Sequence, residues 1–229
     1  MDKNARVDLH PHSFLSDGAL LPSEQLRHAL VRGVGAIAIT DHADDSNLEP
    51  ILRQLLEFAA SGARAFDLTF IPGVELTHVP PADLARLVGR ARRLGARLVV
   101  VHGETLVEPV APGTNRAAVE IRGVDILAHP GLITEEEAAL AAANGIALEI
   151  SARQGHSLTN GHVARVARVA GARLVVNSDG HSPSNLIDQE FARLVARGAG
   201  LDKDEVHAAL VTNPWEIVAR ATGPRPQSI

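Results

Sequence analysis

Short apolar and β-branched runs recur along the chain, separated by longer stretches with apolar positions three and four residues apart. Seven runs read as strands, over residues 6–9, 36–40, 69–76, 97–101, 124–128, 146–150 and 173–176. Most are continuously apolar, as in parallel strands covered on both faces. Helical spacing joins Leu26, Leu30 and Val34 after Pro22-Ser23. It also joins Leu48, Leu52, Leu55 and Leu56, then Leu84, Leu87, Val88 and Ala91, and later Val163, Val166, Ala167 and Ala170. Thr134 with Glu137 fits a capping box, and Asn213-Pro214 reads as an N-cap followed by proline at the first helical position. Residues 108–114 carry two prolines and a glycine, so a loop precedes any short helix there.

This alternation implies an α/β fold with a mainly parallel sheet. Seven strand–helix units fall short of an eight-fold barrel, and the pattern alone also allows an open sheet. The expected organisation is one domain over residues 1–222 and a flexible tail over 223–229.

Composition narrows the picture. The 229 residues are 45% hydrophobic but only 3% aromatic, so Val, Leu, Ile and Ala must fill the core. The net charge is -5, from 22 Lys+Arg against 27 Asp+Glu, which argues against nucleic-acid binding through phosphate neutralisation. There is no cysteine, so any metal is held by nitrogen and oxygen ligands. No apolar run reaches membrane-spanning length and the first residues lack an apolar leader, so the expected location is the cytoplasm, away from membranes.

Ligand-type side chains gather where the strand-like runs end. The first run leads into His10-Pro11-His12, the second into Asp41-His42, and the third contains Glu75. The fourth leads into His102, the fifth into His129, the sixth holds Glu149 with Arg153 beyond it, and the seventh leads into Asp179-Gly180-His181. In a parallel barrel these ends converge on one face. His10 and His12 share a face by the two-residue period, with Asp8 one step deeper. His and carboxylate without thiolate suits Zn, Mn or Fe. His28, His162 and His207 fall on helical stretches and read as surface residues, whereas His78 and His156 lie in loops on the active face.

The ordered motifs Asp-Leu-His-Pro-His at 8–12, Ser-Asp-Gly at 16–18, Thr-Asp-His at 40–42, Gly-Val-Glu at 73–75, His102, Ala-His-Pro-Gly at 128–131 and Ser-Asp-Gly-His at 178–181 resemble the PHP (polymerase and histidinol phosphatase) family over nearly the whole chain. The resemblance implies a distorted (β/α)7 barrel, TIM-like, with two or three divalent metal ions at the C-terminal ends of the strands. It places one ion on His10, His12, Glu75 and Asp179, a second on Glu75, His102 and His129, and a third on Asp17, His42 and His181. It implies a phosphoesterase in which a hydroxide shared between metals attacks phosphorus, with Glu75 bridging and Asp179 or His181 as candidate proton donors to the leaving group. Arg153 is the candidate phosphate clamp, with His156 and Glu149 as further candidate substrate contacts. The leading expectation is a small phosphomonoester such as histidinol phosphate, with no nucleic-acid partner. The alternatives are a nuclease or phosphodiesterase, and a non-catalytic metal-binding module.

Overall fold

The computed structural model describes residues 5–224. Eight strands form one parallel sheet: β1 (Arg6–Asp8), β2 (Val34–Ile39), β3 (His42–Ala43), β4 (Thr69–Leu76), β5 (Leu98–His102), β6 (Ile126–Ala128), β7 (Ala147–Ser151) and β8 (Leu174–Asn177). Their order is β1-β2-β4-β5-β6-β7-β8, with β3 on the far end of β4. The seven expected runs are all present. The eighth strand is the second run resumed after a break at Thr40-Asp41, where Thr40 N–H donates instead to Pro11 O.

The sheet curls until its edges meet. Pro11 and Gly180 form a parallel bridge, His12 N–H donates to Gly180 O at 2.9 Å, and the Arg6 guanidinium donates to Val176 O at 2.9 Å. The expected (β/α)7-type, TIM-like barrel is therefore what the chain adopts, nearly closed and surrounded by helices.

Nine α-helices lie among the described residues: α1 (Pro22–Val31), α2 (Leu48–Ala60), α3 (Pro81–Leu94), α4 (Thr114–Glu120), α5 (Glu135–Asn144), α6 (Asn160–Ala170), α7 (Gln189–Gly198), α8 (Lys203–His207) and α9 (Asn213–Thr222). The capping box at α5 forms as expected, Glu137 N–H donating to the Thr134 hydroxyl. Two readings change. α1 stops at Val31 because Gly33 takes a left-handed φ of 72°, so Val34 starts β2 instead of extending the helical stripe. Asn213 is not a cap, because the chain is already helical through a π-turn over Ala208–Thr212, and its amide donates to Leu174 O. The looser turn tolerates Pro214, which has no N–H to give. The α7 segment carried no reading in the sequence, and of α8 only His207 was placed on a helical stretch.

Two apolar layers follow from strand alternation. Ile37, Ile39, Val74, Val99, Val101, Leu148 and Ile150 face the helices. Ala36, Ala38, Ile71, Leu98, Val100, Ala147 and Val175 fill the barrel, closed below by Ile217, Val218 and Ala221 of α9. Continuing the inner parity upward in steps of two reaches Thr40 and His42, Glu75, His102, Glu149, and Asp179. One periodicity therefore builds an apolar plug below and a polar cluster above. Of the expected tail, residues 225–229 lie outside the described residues, while Gly223 O accepts from Arg97.

Candidate metal centre

The cluster lines a cleft of about 390 Å³ at the C-terminal ends of the strands. All nine residues expected to hold metal meet there. His10 Nε2 lies 3.2 Å from Glu75 Oε1, and His12 Nε2 lies 3.4 Å from Asp179 Oδ1. His129 Nε2 is 3.6 Å from Glu75 and 3.7 Å from Asp179. His181 Nε2 is 3.3 Å and His42 Nε2 3.7 Å from Asp17. Three groupings have their ligand atoms mutually within 4.8 Å: His12, Asp17, His42 and His181; His10, His12 and Asp179; and Glu75, His102 and His129.

Local features hold these side chains in place. The 10–12 segment is pinned by the Pro11–Gly180 bridge. Asp17 rides on a loop tied down by Asp41, which accepts from Ser13 N–H, the Ser13 hydroxyl and the Ser16 hydroxyl, each at 2.7 Å. That loop folds back so tightly that a Cβ on Gly18 would sit 2.2 Å from His12 O. His129 falls out of step with β6, and a φ of 28° turns it back into the cluster. Asp179 likewise has a φ of 49°. Such conformations are costly for non-glycine residues and cluster at functional sites.

Burial and charge oppose each other in the cluster. Burial disfavours the Glu75 carboxylate, but His10, His42 and His102 hold its pKa well below the usual range. Asp179 is held low in the same way against burial, by His10, His12 and His129. Burial would lower the His10 pKa, yet Glu149, Glu75 and Asp179 outweigh it and raise it. His12 is pushed down to about 3 by burial. Several buried atoms have no hydrogen-bond partner, among them His10 Nε2, His12 Nε2, Glu75 Oε1 and His181 Nε2. Unpaired buried polar atoms are costly, and these converge on shared space, so the donor set suits divalent cations.

The other expected site residues divide. Arg153 reaches the cleft, donating to Asp179 O at 3.2 Å and packing its guanidinium against His181 Nδ1. His156 also lines the cleft, buried, with Nδ1 paired to the Thr105 hydroxyl at 2.7 Å. Glu149 sits elsewhere than a substrate contact would: it lies beneath the cluster with no exposed surface. Its Oε1 accepts from His10 Nδ1 and Asn177, each at 2.8 Å, and its Oε2 accepts from His129 N–H at 3.1 Å. It therefore orients two imidazole-bearing residues. Asp8 lies deep as expected, but accepts from Ser178 N–H and faces Arg6.

One participant escaped the sequence reading. Glu108, assigned only to a loop, places its carboxylate in the cleft against His78, His102 and His156. The available signal was its position six residues after His102, on a loop leaving the active face.

Comparison with known proteins places the chain among several relatives. No protein-family model matches it. It is 46% identical over 217 residues to the uncharacterized protein MJ1295 of Methanocaldococcus jannaschii, covering 94% of this chain and 99% of the other. It is 29% identical to Ribonuclease P protein component 3 of Methanosarcina acetivorans, covering 96% and 91%. A probable phosphatase of Shewanella sp. is 26% identical, covering 87% and 86%. The DNA polymerase/3'-5' exonuclease PolX of Bacillus subtilis is 28% identical over 83% of this chain but only 36% of its own length. Among solved structures, a chain in a cryo-EM structure of archaeal ribonuclease P with mature tRNA superposes with a TM-score of 0.73 at 16% identity, covering 98% and 95%. The fold is thus shared with that chain.

These likenesses correct one expectation. Whole-chain charge had argued against a nucleic-acid partner, but near-full-length relatives carry ribonuclease P names. Net charge sums over the surface and does not fix the field at one cleft, where bound cations would reverse its sign. No helix among the described residues is long and apolar enough to cross a membrane.

Proposed function

The chain belongs to the family of the uncharacterized protein MJ1295 of Methanocaldococcus jannaschii, and from that premise and the chemistry of its cleft we propose that it is a divalent-metal-dependent phosphoesterase of the PHP type acting on nucleic-acid phosphate esters. The observation that carries this reading is the convergence of nine His, Asp and Glu side chains on one cleft, with buried donor atoms left unpaired. Relatives named as exonuclease and probable phosphatase support ester hydrolysis, and those named for ribonuclease P support a nucleic-acid substrate.

His10, His12, Glu75 and Asp179 would hold one cation, Glu75, His102 and His129 a second, and Asp17, His42 and His181 a third, with Zn, Mn or Fe as candidates. When bound, such ions acidify water and neutralise charge on a phosphoryl group. The chain's own residues do the rest. Arg153 at the cleft wall donates N–H groups that match phosphate oxygens. Glu149 fixes the His10 ring and the His129 backbone from below. Ser46, Asn47 and Thr77 also line the cleft, where Thr77 pairs with His42 Nδ1 and the Asn47 amide donates to His42 O. A cleft of about 390 Å³ suits one nucleotide-sized group, and on this reading cleavage is expected at a terminus.

The second reading, a small phosphomonoester such as histidinol phosphate, rests on the probable phosphatase relatives. The test is metal analysis paired with hydrolysis of single-stranded oligonucleotides, mononucleotides and histidinol phosphate, with and without chelator. Chelator-sensitive release of mononucleotides supports the proposal. Phosphate released only from a small monoester selects the second reading, and inert metal-loaded protein overturns both.

A further inference from the structure

Resting on the reading that this cleft holds cations, we propose that the cation at His102 takes two ligands from outside the nine: Glu108, from the loop after β5, and His78, from the loop after β4. Glu108 Oε2 lies 3.1 Å from His102 Nε2 and 3.3 Å from His78 Nε2. Bonds of about 2.0–2.2 Å at the roughly 90–120° angles of a five-ligand shell put neighbouring ligand atoms about 2.8–3.8 Å apart. The carboxylate oxygen therefore stands at the edge length of one coordination shell from each imidazole nitrogen, and the three ligand atoms all lie within 4.8 Å of one another.

The second carboxylate oxygen is already engaged. Glu108 Oε1 lies 3.3 Å from His156 Nε2, and His156 Nδ1 pairs with the Thr105 hydroxyl at 2.7 Å. With Nδ1 accepting the hydroxyl proton, Nε2 carries the N–H that faces Oε1. Glu108 is thus oriented by a histidine as ligating carboxylates are, with Oε2 turned toward His102 and His78.

His102 offers one lone pair. Its Nδ1 hydrogen-bonds Gly103 O at 3.1 Å and so carries the proton, which leaves Nε2 for a single ion. The group with Glu75 and His129 and the group with Glu108 and His78 share His102, so on this proposal they would serve the same ion.

Backbone strain points to His78 independently. Among the described residues, three non-glycine residues have positive φ: His129, Asp179 and His78, the last at 52°. Two of these carry ligand side chains of the cluster. The His78 ring centroid lies 5.1 Å from that of His102, and the third instance is accounted for if His78 serves the same centre.

A carboxylate on a surface loop that caps the ion would occupy the face a phosphate must approach, so Glu108 would move aside when substrate enters. The test uses the full chain, stripped with chelator and titrated with Zn²⁺ alone against a competing chromophoric chelator. Wild type is compared with Glu108→Gln and His78→Asn, and circular dichroism is used to show that each variant is folded. In both variants one Zn²⁺ step is expected to weaken by about 100-fold, at the top of the range for losing a partner around a metal, with the other steps unmoved. Co²⁺ substitution supplies a second readout, since losing a ligand changes the visible absorption of that ion. Zn²⁺ steps and Co²⁺ spectra identical to wild type in both variants overturn the inference while leaving the nine-residue centre standing. Wild-type protein that binds no Zn²⁺ removes the metal reading and this inference with it.

Discussion

Glu149→Gln tests whether the residue beneath the cluster governs metal binding. The carboxylate satisfies three donors: His10 Nδ1–H and the Asn177 amide at Oε1, and His129 N–H at Oε2. Glutamine has the same shape but one acceptor oxygen. If its NH₂ replaces Oε1 it faces two donors, so the preferred rotamer places NH₂ against His129 N–H at about the 3.1 Å now spanned by a hydrogen bond. Leaving that buried N–H unpaired costs roughly 1–3 kcal/mol. The bond to His10 also changes from charge-assisted to neutral and weakens by about half. Both losses fall on ligand-bearing residues, and His129 is already held at a φ of 28°. Metal affinity is expected to fall about 10–100-fold, as for other removed partners of ligating histidines. A competition titration with Zn²⁺ at fixed pH measures it. A dissociation constant within about twofold of wild type would refute the claim that Glu149 orients His10 and His129.

Further outcomes are expected elsewhere. Arg6→Met strands the buried Asp8 carboxylate and breaks the guanidinium bond between β1 and β8, so it should cost about 3–5 kcal/mol in urea unfolding. Adding Asp8→Asn should recover part of that loss, and a stable single variant would show that the pair does not hold the barrel seam. Arg153→Ala should raise KM or lower kcat for phosphate esters with metal content unchanged, as read by steady-state kinetics beside elemental analysis. Unaltered kinetics would return Arg153 to a purely structural contact with Asp179 and His181. Chelation should lower Tm, because ions held at about 1,000 times their dissociation constant contribute roughly 4 kcal/mol to the folded state. At about 2–4 °C per kcal/mol for a chain of this size, the shift is roughly 8–16 °C by scanning calorimetry. No shift would count against preformed cation sites.

The parts that were legible in the sequence share a cause. A strand carries its side chains in a period of two, so Leu98, Val100 and His102 had to point the same way, as did Ile71 and Glu75. The apolar runs announced parallel strands, and parallel strands bring their C-terminal ends to one face. Nine candidate ligand positions were named from that rule and from the motif resemblance, and the structure brings their side chains together. Glu149 obeyed the same parity and was found, but its role was misread: parity gives the direction of a side chain and not its depth. One strand step below the cleft, it meets His10 Nδ1 instead of substrate.

Glu108 and His78 mark where that logic ends. Both lie beyond strand ends, where direction depends on how the loop closes. Residues 108–114, with their two prolines and glycine, announced only a loop before any short helix. What turns Glu108 into the cleft is tertiary: His156, brought up by the sixth strand–helix unit, holds its Oε1 from the other side. No local pattern near residue 108 contains that partner 48 residues away. A βα loop is long enough to be free of the barrel's periodicity and close enough to face its metal ligands. Residues that distinguish one family member's chemistry from another's are therefore expected on such loops, and Glu108 is one such position, an acidic loop side chain 3.1 Å from His102.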